Sequence, residues 1–172
     1  MGSSAGFFVR LEPADEAKLR VHLKSYQELV FEEGFPFAQV ANDAEPNREL
    51  LCAISKELET DVIWLEFEST VDAFRYLHWR RGALVRTLRN GLKREGTWES
   101  VDGEPEPWER WKAPPKLGAF DPISAREAAL LIAEHWGFAG TGAEPRTAKA
   151  AKPKPGKPKP AAKEPAARRK PR

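Results

Sequence analysis

The last stretch of the chain limits what the whole can fold into. From Pro145 to Arg172 there is no Phe, Trp, Tyr, Leu, Ile, Val or Met. Such a segment has no apolar surface to bury against its ordering entropy. Repeats such as Lys152-Pro153-Lys154-Pro155 also interrupt any helix. A packed core is therefore expected only in residues 1–144, with 145–172 a disordered, Lys/Pro-rich basic tail.

Charge divides at the same point. The tail carries eleven basic residues: Arg146, Lys149, Lys152, Lys154, Lys157, Lys159, Lys163, Arg168, Arg169, Lys170 and Arg172, against the single acid Glu164, or +10. Of 28 Lys/Arg and 26 Asp/Glu in the chain, 17 and 25 remain in residues 1–144, which leaves that part at −8. The small formal charge of +2 hides an acidic body joined to a cationic leash.

Residues 1–144 contain all six tryptophans, enough aromatic surface for a core of that length. The lone Cys52 excludes an intramolecular disulfide and a multi-cysteine zinc site. No run approaches the ~20 apolar residues that span a bilayer, so no membrane insertion is expected. The first residues lack the charged and apolar regions of a secretory signal. A cytoplasmic protein is the expectation.

Periodicity assigns the elements. Gly6-Phe7-Phe8-Val9-Arg10-Leu11 reads as a short strand ended by Pro13. Leu19, Leu23, Tyr26 and Val30 fall on one helical face, which predicts a helix from Asp15 to a stop at Gly34. Residues 35–46 read as loop. Asn47 is a helix N-cap candidate, with Leu51, Ile54 and Leu58 as the buried stripe running to Glu59. The period then changes: Val62–Glu68 suits a strand with Ile63, Leu65 and Phe67 inward. Phe74–Arg80 and Ala83–Arg89 alternate about a hairpin turn at Arg81-Gly82. That second strand ends either at Asn90-Gly91 or, as favoured, near Lys93 with the turn at Glu95-Gly96. Thr97–Val101 follows, closed by Asp102-Gly103. Residues 104–123 hold five prolines with Trp108 and Trp111, an extended segment packed across the domain by its tryptophans. Ser124-Ala125-Arg126-Glu127 is a capping box, opening a helix that Gly137 ends with Phe138 folded back. The class is α+β: a small antiparallel sheet of about four to five strands packed with three helices.

Several of these segments resemble a pattern in uncharacterised bacterial proteins: Phe74-Arg75-Tyr76-Leu77-His78-Trp79-Arg80, Gly82-Ala83-Leu84-Val85-Arg86, and Glu95-Gly96-Thr97-Trp98 through Glu104-Pro105-Glu106-Pro107-Trp108-Glu109. Ile123-Ser124-Ala125-Arg126-Glu127 is similar to the start of their last helix. The resemblance covers about a third of the chain and implies a shared domain of unknown function, with no activity and no site attached.

Candidate chemistry is sparse. His22, His78 and His135 fall on three elements without paired spacing, so no metal is expected. Glycine-rich phosphate loops and a GxSxG elbow are missing, so no cofactor is expected either. Glu66 and Glu68 share a strand face, and with His78 they form the one acid–base set worth testing. Between Ala73 and Arg94 lie seven cations and no acid. Arg75, Tyr76, His78, Arg80, Arg81, Arg86 and Arg89 are thus a candidate interaction surface, with aromatics for stacking and arginines for phosphates. The favoured reading instead pairs the arginines with Glu66, Glu68 and Glu99 and sends the aromatics into the core. The tail (Lys152, Lys154, Lys157, Lys159, Lys163, Arg168, Arg169, Lys170, Arg172) is a candidate polyanion binder that contacts phosphate without reading bases. Three functions follow in order of preference: a non-catalytic interaction or regulatory domain with a protein partner, a nucleic-acid-associated protein, and a small enzyme using Glu66, Glu68 and His78. Oligomeric state is not set by the sequence.

Overall fold

The structure is a computed structural model describing residues 3–25, 27–31, 35–41, 45–68, 70–111, 115–120 and 125–138. The basic tail, Tyr26, Gly34 and the capping Ser124 lie outside the described residues. The elements in chain order are β1 (Ser3–Arg10), α1 (Glu16–His22), β2 (Leu29–Phe31), β3 (Phe37–Ala41), α2 (Arg48–Glu57), β4 (Asp61–Glu68), β5 (Ala73–Arg80), β6 (Ala83–Asn90), β7 (Trp98–Gly103) and α3 (Ala125–Trp136). Among the described residues, seven strands join one antiparallel sheet in the order β2-β3-β1-β4-β5-β6-β7. The α+β class with an antiparallel sheet holds, and the strand count exceeds the expected four to five.

The two extra strands come from the segments read as helix and loop. The helical stripe through Leu23 and Val30 breaks because the chain turns extended at Leu23 after α1, and Leu29–Phe31 pairs with Ala38–Val40 of β3. Pairing across the sheet edge prevails over a helical period only a few turns long. β3 in turn pairs with β1, Phe8 opposite Gln39. The prolines of 35–46 flank this strand instead of interrupting it.

Helices cover both sides of the sheet. On one, Phe8, Ile63, Leu65, Tyr76, Leu88 and Trp108 meet Ile132 and Phe138 of the α3 region. On the other, Val62, Trp64, Leu77 and Trp79 meet Leu51 and Ile54 of α2 and Leu19 of α1. Asp61 to Leu65 are therefore buried without alternation. A strand covered on both sides loses the period of two by which inward residues are recognised.

Local chemistry fixes the rest. Asn47 Oδ1 accepts from Leu50 N at 3.0 Å and caps α2. The β5–β6 turn has Arg81 at φ 49° and Gly82 at φ 83°, the paired left-handed residues of a tight hairpin. α2 clamps that turn: Ser55 Oγ accepts from Gly82 N at 2.8 Å, and Cys52 Sγ donates to Gly82 O at 3.0 Å. The half-buried Cys52 thus has a structural contact. β6 ends at Asn90, three residues short of the favoured Lys93, and Gly91 N donates to Thr97 O across the connection. Gly137, at φ 71°, ends α3 as expected, and Phe138 folds back to stack on Phe8 with centroids 4.1 Å apart.

Candidate functional site

The register of β4 against β5 decides which ionisable groups meet. Ile63 lies opposite His78 and Glu66 opposite Arg75. His78 therefore points to the α3 side, while Glu66 and Glu68 alternate to the α2 side. The set Glu66, Glu68 and His78 is split across the sheet, which removes the acid–base arrangement expected of it.

The candidate interaction surface also comes apart. Tyr76, His78 and Arg86 are buried, at 0%, 0% and 2% exposure, so none of them forms a surface. Arg75 sits between Glu66, at 2.6 Å, and Glu45. Arg89 pairs with Glu99 at 2.8 Å and Arg80 with Asp61 at 2.8 Å. Glu68 instead accepts from Thr70 N. The pairing reading of the arginines holds for Glu66 and Glu99, and the aromatics Phe74, Tyr76 and Trp79 are core residues. Arg81 remains exposed at the hairpin turn.

What gathers around His78 is a different set. Its Nε2 lies 2.9 Å from Asp61 Oδ1, and its Nδ1 meets Glu106 Oε1. Glu106 Oε2 accepts from Tyr76 Oη and, at 2.7 Å, from Trp108 Nε1. Trp136 Nε1 on α3 donates to Tyr76 Oη at 3.2 Å. Asp61 Oδ1 also accepts from Arg80 Nε at 2.8 Å, and Oδ2 lies 3.7 Å from Arg10.

Two carboxylates flanking one imidazole favour its doubly protonated form. Burial alone would lower the His78 pKa, but the hydrogen bonds to Asp61 and Glu106 outweigh it and hold the value above the usual histidine range. Burial would raise Asp61, yet the bonds from His78 and Arg80 bring it down to about 2. Glu106 is likewise lowered against its burial by His78, Tyr76 and Trp108. Burial, with Glu106 adding to it, pushes Tyr76 well above the phenol range.

A second buried pair places Glu106. β6 carries an extra residue between the pairs His78–Arg86 and Trp79–Leu84, a bulge of the kind that re-aims side chains. Arg86 lands beside His78 and meets Glu109 through Nε (2.7 Å) and Nη2 (2.5 Å), while Nη1 donates to Gly103 O at 2.6 Å. Glu109 Oε1 also accepts from Glu106 N at 3.0 Å. The Pro-rich segment is thereby pinned to the sheet, as its tryptophans suggested: Trp108 packs on Tyr76 with centroids 5.0 Å apart.

The network opens into a cleft of about 380 Å³ at one end of the sheet, where Arg10, Asp61, Arg80, Glu106, His135 and Trp136 contribute to the walls. Sequence reasoning passed over Asp61, Glu106 and Glu109. A signal for Asp61 existed, since it shares the alternation of Ile63 and so the face of His78. Glu106 was legible only as an acid wedged between two prolines beside a tryptophan. No protein-family model matches the chain, and neither a curated protein nor a solved structure is significantly similar to it.

Proposed function

We propose that the chain is a non-catalytic interaction domain: an acidic folded body that carries recognition, with a basic tail that holds it near polyanions. The observation that carries this reading is the state of His78. Both ring nitrogens face carboxylates and the side chain is fully buried. A buried imidazole with both nitrogens engaged by carboxylates is poorly placed to exchange a proton with a substrate, whereas the groups it organises line an open cleft. Its role is to fix Asp61 and Glu106, and through Asp61 the exposed arginines Arg80 and Arg10.

Capture on the immobilised full-length chain tests this, followed by direct binding of the purified partner. Retention is expected to disappear with Arg10→Gln/Arg80→Gln together and to survive Lys→Gln at 152, 154, 157 and 159. A partner held only through the tail, or none above the Arg10→Gln/Arg80→Gln background, would overturn it.

The tail's charge of +10 favours a second reading, a nucleic-acid-associated protein in which residues 145–172 supply the affinity. Binding would weaken by roughly 0.7–0.9 log units per phosphate contacted for each log unit of salt. Equal DNA affinity of the chain and a tail-neutralised variant at about 50 mM salt would remove this reading.

A further inference from the structure

The hydrogen-bonding capacity around the cleft is lopsided. Glu106 is occupied on both oxygens by His78, Tyr76 and Trp108. Asp61 is occupied by His78 and Arg80, with Arg10 beside it. The buried acceptors, Glu106 and Asp61 Oδ1, are thus used internally, which leaves Asp61 Oδ2 beside Arg10 and the exposed Glu104 at the rim. The main donor is not: Arg80 engages Asp61 through Nε alone, and its two Nη groups have no hydrogen-bond partner among the described residues. Arg10 approaches Asp61 only at 3.7 Å. The two side chains are 55% and 56% exposed.

Such a cleft presents forked, charged donors that match a carboxylate, rigidly aimed because Arg80 is tethered at Nε. Beside them lie flat apolar walls, Trp136 with Pro105 and Pro107. The Trp136 ring is fixed by its bond to Tyr76 and its edge contact with His78, centroids 5.1 Å apart. The volume of about 380 Å³ falls within the range of small-ligand sites.

Charge sets the valence of the ligand. With His78 protonated, Arg10, Arg80 and His78 balance Asp61, Glu106 and Glu104, so the site is neutral before binding. One added negative charge is accommodated by the two free guanidinium edges. A second would face three carboxylates on a body already at −8.

We infer that this cleft binds a monoanionic carboxylate borne on a flat apolar group, the carboxylate on Arg80 and Arg10 and the flat group against Trp136. This rests on reading the folded body as a recognition domain and names the chemistry that it recognises. The same chemistry is offered by a free aryl acid and by the terminal residue of a peptide ending in an aromatic.

The test is an NMR titration of the full-length, 15N-labelled chain, following the Arg80 Nε–H and the Trp136 indole N–H. The probes are phenylacetate, phenylacetamide, phenyl phosphate, and a tetrapeptide ending in Phe with a free or an amidated terminus. Saturable shifts at both reporters are expected with phenylacetate or the free-terminus peptide, and whichever binds tighter identifies the source. The matching amide is expected to bind about tenfold to hundredfold more weakly, the worth of a charged hydrogen bond, and phenyl phosphate more weakly than the carboxylate. Arg80→Gln is expected to weaken the acid by a similar factor. Arg10→Gln, which removes a longer contact, serves if Arg80→Gln fails to fold. Equal binding of acid and amide, an unchanged affinity in the arginine variants, or acid-induced shifts confined to the tail would each overturn the inference. If no carboxylate binds while partner capture still depends on Arg10 and Arg80, the ligand class is wrong and the recognition reading stands.

Discussion

Replacing Arg86 by Met is expected to be among the most damaging changes in this protein, although the sequence offers Arg86 as a surface cation. The side chains of Arg86 and Glu109 are 2% and 1% exposed. The guanidinium makes two bonds to the carboxylate, at 2.7 and 2.5 Å, and two to the carbonyls of Gly103 and Asp102, at 2.6 and 3.2 Å. Removing it leaves Glu109 charged, buried and unpaired, a change that costs about 3–5 kcal/mol. At roughly 2–4 °C per kcal/mol for a domain of this size, the melting temperature falls by roughly 6–20 °C. Urea unfolding at neutral pH, followed by tryptophan fluorescence, reads the loss directly. Glu109→Gln keeps the acceptor for Glu106 N but removes the charge, so Arg86→Met/Glu109→Gln should recover part of the deficit, with a coupling of about 2 kcal/mol. Because Glu109 also holds the backbone of Glu106, Arg86→Met should loosen Glu106 and lower the His78 pKa, visible in its ring resonances. A loss under about 1 kcal/mol, with the two single changes simply adding, would refute the buried-pair argument.

Three further outcomes follow from the fold. His78 is raised in the fold from an unfolded value of 6.5. Its contribution is complete below 6.5 and drains away as the pH climbs through the elevated folded value, at up to about 1.4 kcal/mol per pH unit. Denaturant midpoints should fall on that alkaline limb, and a profile that His78→Gln leaves unchanged would contradict the cluster. Asp61 has the opposite sign: its contribution is present above 3.8 and lost as the pH drops toward about 2. Gly103→Ala should cost more than about 2 kcal/mol, since its Cβ would stand 2.0 Å from Val85 O at φ 85°, while Gly118→Ala, at φ 76° with nothing within 4 Å, should lose only about 1 kcal/mol. Comparable losses by thermal melting would show that the close approach of β6 and β7 is absent.

Local rules carried the central meander and the helix ends. Asn47 caps α2, Arg81-Gly82 turns the hairpin and Gly137 closes α3, because each needs only the conformational preference of one or two residues. They failed where a non-local partner decided: Leu29–Phe31 is a strand because β3 lies beside it, and β4 shows no alternation because helices cover both its sides.

By itself, the sequence determined the charge split between body and tail, the antiparallel α+β class and the turns, since these depend on composition and on neighbours a few residues apart. Only the tertiary structure decided which charges meet. Asp61, His78, Glu106 and Glu109 come from three distant segments, and strand register together with one bulge in β6 set which of them share a face. A shift of one residue in a sheet moves a side chain to the opposite side. For that reason a row of arginines and aromatics that the sequence alone allows as surface or as interior is in large part the interior of the molecule.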